Sequence, residues 1–116
     1  MVNESKTHED LKEIIKKRYF HKNNLVMEEF KFNNLKFDLA IIDKHSGKII
    51  KIIECLVTQT MINAYNKLVN LDLNVEKEIV RVKKNRNPKS RKVIEKIKSK
   101  GINFVEINIS SKFNYK

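Results

Sequence analysis

The sequence predicts an α/β domain of element order αβββαβαβ, with a mixed central sheet flanked by helices. Apolar residues recur at helical spacing in three stretches and at strand spacing, or as short continuous runs, in five others. Turn-forming residues fall between these stretches, and two of the helical stretches separate consecutive strands.

The first element opens at Thr7, which with Asp10 forms an N-cap pattern, and Leu11, Ile14, Ile15 and Tyr19 then recur at helical spacing. This predicts a helix over 8–21, ended by Asn23-Asn24. Leu25 to Phe32 reads as a strand, and Asn33-Asn34 as the turn of a hairpin into a second strand, Leu35 to Asp43. That strand alternates, with Leu35, Phe37, Leu39 and Ile41 predicted to face one way and Lys36, Asp38, Ala40 and Ile42 the other. A turn over 44–47 leads to Lys48 to Val57, whose near-continuous isoleucines predict a central strand. Met61, Ala64, Tyr65, Leu68 and Leu71 share one face of a second helix, capped by Thr58 or Thr60. Glu78 to Val82 is the fourth strand. Asn87-Pro88 sets a cap and a proline at the first turn of the third helix, and Gly101 stands at its C-terminal end. Ile102 to Ile109 alternates as the fifth strand, and 110–116 reads as a flexible tail. The expected organisation is one domain over 1–116 with its core over about 7–109. The first three strands form an antiparallel meander, and the helical crossovers make the last three parallel or mixed.

Composition narrows the function classes. At 116 residues and 41% hydrophobic content, the chain suits one core and is too apolar for a disordered protein. No apolar run approaches the roughly 18 residues of a membrane helix. The first ten residues are polar and do not resemble a secretory signal. Cys55 is the only cysteine, which rules out an internal disulfide and a Cys-based zinc site. A reducing, cytoplasmic setting without a membrane partner is expected.

The net charge of +11 repels itself in a compact fold, and a polyanionic partner is the usual reason to keep such an excess. Lys83, Lys84, Arg86, Lys89, Arg91, Lys92, Lys96, Lys98 and Lys100 stand close together against Glu95 alone. The lysines could also form a merely solvated face, but their clustering points to nucleic acid. Asn85-Arg86-Asn87 leads into a helix N-terminus, a ready phosphate contact. His8 and Lys12, four apart on one helix face, can reach one anion together. His21 and His45 fall in turns, Cys55 and Tyr65 at core positions, and Phe113 and Tyr115 in the tail.

Asp38 and Glu54 interrupt otherwise apolar strands, where an unpaired carboxylate is expensive to bury. The turn between the two strands is centred near residue 46, so the two acids fall opposite one another on one face. Carboxylates side by side repel. Either neighbouring lysines such as Lys36, Lys51 or Lys67 balance them, or they share a hard divalent cation, Mg²⁺ or Mn²⁺.

His8-x-x-x-Lys12 on a helix, Glu28-Glu29 on the next strand, Lys36-Phe37-Asp38 on the second and Ile52-Ile53-Glu54-Cys55-Leu56 on the third together resemble the PD-(D/E)XK nuclease superfamily. The CoiA-like competence branch is the most similar, and the resemblance covers about residues 5–70. It implies a restriction-endonuclease-like fold in which Asp38 and Glu54 chelate Mg²⁺, with Glu28 or Glu29 completing the acidic cluster and His8, Glu9 and Lys12 nearby. It further implies phosphodiester hydrolysis or a derived binding role, and a homodimer. The family places Lys or Gln two residues after the glutamate, where this chain has Leu56. Lys67, Gln59 or Lys51 could supply the missing group, although Lys51 has the wrong parity to share a face with Glu54.

The expected function is a metal-dependent nuclease acting on DNA. The catalytic group is Asp38, Glu54 and Lys67, the metal ligands Asp38, Glu54 and Glu29, and the nucleic-acid contacts His8, Lys12, Lys83, Lys84, Arg86, Lys89, Arg91 and Lys92. The alternatives are an inactive nucleic-acid-binding module of the same fold and a basic structural or interaction subunit.

Overall fold

Asn33 and Asn34 adopt left-handed φ values of 50° and 67°, the conformation that closes a two-residue hairpin with the twist of its strands. In a computed structural model describing residues 6–57, 59–84 and 87–108, this turn joins β1 (Asn24–Phe32) to β2 (Leu35–Asp43). Helix α1 (Lys6–Tyr19) precedes them. Then come β3 (Ile49–Leu56), α2 (Met61–Val69), β4 (Glu76–Val82), α3 (Pro88–Ser99) and β5 (Asn103–Ile107). The expected helix over 8–21 thus starts and ends slightly earlier, and the fourth strand begins at Glu76. Thr58, Asn85, Arg86, Ile109 and the tail with Phe113 and Tyr115 lie outside the described residues.

One five-stranded sheet runs in the order β1-β2-β3-β4-β5. The pairs β1–β2 and β2–β3 are antiparallel, and β3–β4 and β4–β5 are parallel. Central β3 is covered on both sides, which is why Ile52 and Ile53 are both fully buried and why the strand carries almost no alternation. Helix α1 lays Leu11 and Ile15 on Leu39, Ile41, Ile53 and Val80. Helices α2 and α3 cover the opposite face, packing Tyr65, Leu68 and Ile97 with Phe37, Ile52 and Ile79. Asn87 caps α3 in a reciprocal box with Ser90, and Gly101 takes φ 76° just beyond it. Among the described residues no helix is long and apolar enough to cross a membrane.

The expected alternation of β2 breaks at Asp38. Leu39 and Ile41 join the α1 side, but Leu35 and Phe37 pack with Ala40 on the other. Strand β1 makes the same switch, with Val26 on the α1 side and Phe30 opposite. Pairing runs from Glu28↔Leu39 to Phe30↔Phe37, skipping Glu29 and Asp38. In β1 the cause lies in the backbone: Glu29 has φ 56°, which reverses the pleat of that strand and costs a non-glycine residue about 1–2 kcal/mol.

Candidate active site

A second irregularity sets the register of the two acids. Near the turn Ile42 faces Ile49, but the ladder then shifts. Ile41 pairs with Lys51, Ala40 with Ile52 and Leu39 with Ile53, where the ladder ends, and Asp38 and Glu54 are the residues next beyond that last pair. Ile50 is the extra residue of this bulge. Without it the register would set Asp38 level with Ile53 and not with Glu54, so the bulge brings the two acids level.

Beyond Leu39 and Ile53 the carboxylates replace the backbone ladder. The Asp38 N–H donates to Glu54 Oε2 at 3.1 Å, and the Cys55 N–H donates to Asp38 Oδ2 at 2.8 Å. Each acid is therefore held by the main chain of the opposite strand. The site lies at the carboxyl end of β3, where open α/β sheets bind ligands.

Helices reach the pair from both faces. From α1, buried His8 places Nε2 3.1 Å from the Cys55 carbonyl oxygen and 3.5 Å from Asp38 Oδ1. From α2, Lys67 Nζ donates to Glu54 Oε1 at 3.0 Å and also to the Lys36 carbonyl. It stands 4.9 Å from the centre of the Phe37 ring. A cleft of about 250 Å³ opens here, with Asp38, Glu54, Gln59, Thr60, Asn63 and Lys67 on its walls. The structure therefore brings Asp38, Glu54 and Lys67 together. Sequence reasoning missed Asn63, although it lies four residues before Lys67 on the same helix face.

The remaining candidates divide. Lys12 is buried with its ammonium 3.3 Å from both Glu28 and Glu29, and Lys36 pairs with Glu29 at 2.9 Å. Neither Lys12 nor Glu29 lines the cleft. Leu56 is buried in the core beside α2. Lys51, on the α1 side as its parity requires, donates to Tyr19 and Glu78 instead. Cys55 is a core residue whose thiol pKa is pushed up by burial. Among the described residues no group of three or more His, Cys, Asp and Glu side chains is assembled to hold a metal.

Burial pushes the Glu54 carboxyl above the usual glutamate range, and the charge of Asp38 adds to this, while Lys67 and the Asp38 N–H oppose it. A carboxyl raised on folding contributes stability that is fully present below its unfolded pKa and lost as pH rises through the folded value. Glu54→Gln, which cannot ionise, should therefore gain stability relative to the parent protein as pH rises through that window. Melting temperatures of both proteins from acid to neutral pH check this, and a constant difference would overturn it.

The basic segment is arranged differently from these paired lysines. Lys83, Lys84, Lys89, Arg91, Lys92, Lys98 and Lys100 are exposed. Ile94 and Ile97 turn the opposite side of α3 into the core. Lys96 lies over the Tyr65 ring, 5.4 Å from its centre. No protein-family model matches the chain, and no curated protein matches it.

Proposed function

We propose that the chain is a metal-dependent nuclease that hydrolyses phosphodiester bonds in DNA, with the restriction-endonuclease-like arrangement of the PD-(D/E)XK superfamily. The observation that carries this reading is the meeting of Asp38, Glu54 and Lys67 at one cleft, although they come from three separate elements.

The donor set fits Mg²⁺ or Mn²⁺. Two carboxylates lie on the wall of an open cleft, and burial and mutual repulsion raise the energy of the charged form of Glu54. Mg²⁺ characteristically takes one or two carboxylates, with water and substrate phosphate completing its shell. When bound, the ion supplies charge neutralisation at the phosphate and an activated water. Asp38 and Glu54 would hold it, and their bonds to the opposite strands fix their orientation. Lys67 bonds Glu54 and the Lys36 carbonyl from the cleft wall, which leaves one of its three N–H groups for a phosphate oxygen. It comes from α2, where Leu56 leaves the strand without a cationic group. His8 props Asp38 from the α1 side. The exposed lysines from 83 onward attract the backbone of the nucleic acid.

The second reading, a binding module of the same fold without catalysis, rests on Leu56 packing in the core at the position where the superfamily carries Lys or Gln. Cleavage of labelled DNA during titration with Mg²⁺ or Mn²⁺ separates the two. The nuclease reading expects cleavage that rises with the ion, stops with a chelator and falls about 10²-fold in Lys67→Met, the scale for loss of one preorganised donor. Salt-sensitive DNA binding without cleavage in either ion would favour the module. Neither binding nor cleavage would sink both.

A further inference from the structure

The cleft carries a cation of its own. Lys67 Nζ donates to Glu54 Oε1 at 3.0 Å and to the Lys36 carbonyl oxygen, and it stands over the Phe37 ring, 4.9 Å from the centre. Lys67 lies in the last turn of α2 with its side chain 32% exposed. Solvent is open to it, yet the ammonium turns inward to the acid.

The four oxygens of the acid pair are used unequally. Asp38 Oδ2 accepts the Cys55 N–H and Glu54 Oε2 accepts the Asp38 N–H, which ties one oxygen of each carboxylate to the main chain. The other two face cationic groups. Asp38 Oδ1 has His8 Nε2 at 3.5 Å, longer than a good hydrogen bond, and Glu54 Oε1 has the Lys67 ammonium. The bond at Oε2 and the burial of Glu54, which is 5% exposed, hold its carboxylate in place. A divalent ion drawn to the pair therefore meets Oε1 already engaged, and an ammonium and a dication at one oxygen repel each other strongly.

We infer that Lys67 is the resident counter-ion of the metal-free site and that it gives up Glu54 when a divalent cation enters. The identity of that cation rests on the nuclease reading. The competition rests on the Lys67–Glu54 bond. Released from Glu54, Lys67 keeps the Lys36 carbonyl and has two N–H groups, in place of one, for an incoming phosphate. The acid pair is thus balanced in both states, and the cationic group becomes fully available to substrate only after the ion is bound.

Two measurements on the full chain test this without recourse to cleavage. Mn²⁺ titrated by calorimetry should bind Lys67→Met about 10-fold more tightly than the parent, the scale of one charge-assisted hydrogen bond that no longer has to be broken. The methionine keeps an unbranched apolar stem beside Phe37. Lys67→Gln, which can still donate to Glu54 but carries no charge, is the second variant and should also bind Mn²⁺ more tightly. In the parent, Mg²⁺ should move the NMR signals of the Lys67 methylene next to the ammonium, which lies near the Phe37 ring, and leave those of exposed Lys98 in place. Equal or weaker Mn²⁺ binding in both variants would mean that Lys67 holds Glu54 ready for the ion. That result would overturn the displacement and leave the nuclease reading intact. Mg²⁺ binding with the Lys67 signals unmoved would overturn it in the same way. Absence of Mn²⁺ binding in the parent and in both variants would overturn the displacement and the metal-dependent reading together.

Discussion

On the proposed nuclease reading, Asp38→Asn is expected to remove DNA cleavage almost completely while making the metal-free protein more stable. The asparagine carbonyl can still accept the Cys55 N–H, and the backbone N–H of residue 38 can still donate to Glu54, so both cross-strand bonds survive. What disappears is the negative charge. Cleavage should fall about 10³-fold, the upper scale for removing one preorganised electrostatic group. Stability should rise by about 1 kcal/mol, because the repulsion that raises the Glu54 carboxyl is gone. His8 keeps its contact with the Cys55 carbonyl. Cleavage rates in Mg²⁺ and melting curves in chelator measure the two effects on one preparation. A variant that cleaves normally, or that melts lower than its parent, would show that the acids are placed for structure and not for an ion. Opposite signs for activity and stability are the mark of a site kept at a cost to the fold.

Much of this site can be read from residue order, and the parts that cannot share one physical origin. The Asn33-Asn34 turn, the bounds of β2 and the Asn87-Pro88 start of α3 follow from local chemistry, and they stand where that chemistry puts them. A turn centred near residue 46 is enough to set Asp38 opposite Glu54 on paper. In the structure their facing depends on the bulge at Ile50, since the ladder nearest the turn keeps a different register. No residue type near Ile50 announces that bulge. The left-handed Glu29, where β1 turns Phe30 to the α2 side, is equally silent, because glutamate has no preference for that conformation. Lys67 is one of several lysines and glutamines that spacing alone allows near the acids. Helical periodicity puts it on the polar side of α2, but only the packing of α2 on the sheet brings it to Glu54. Local signals thus fix turns and caps, whereas register shifts and cross-element contacts depend on the whole sheet.

The largest loss of stability from a single substitution is expected at Glu78, at the other end of the sheet. Its side chain is almost wholly buried. Oε1 accepts the Tyr19 O–H, the Lys51 ammonium and the Asn103 amide, each at 3.0 Å. One carboxylate oxygen therefore ties α1, β3 and β5 to β4. Lys51 is 12% exposed at its side chain, and its other carboxylate neighbour, Glu76, lies 3.5 Å away and is largely in solvent. Glu78→Ala strands the ammonium in the interior, which costs about 3–5 kcal/mol, a large share of the roughly 5–15 kcal/mol that holds a domain together. Replacing both partners, as Lys51→Met/Glu78→Leu, removes the stranded charge and should recover most of the loss. Denaturant unfolding of the single and double variants measures this directly, and a Glu78→Ala protein within about 1 kcal/mol of its parent would refute the buried pair. Tyr19 ends the helix that carries His8 to Asp38, so the network also anchors α1 beneath the candidate site. On the proposed nuclease reading, Glu78→Ala should accordingly weaken cleavage, and the double variant should restore it together with stability. Recovery of stability without cleavage would mean that Lys51 or Glu78 serves the chemistry directly.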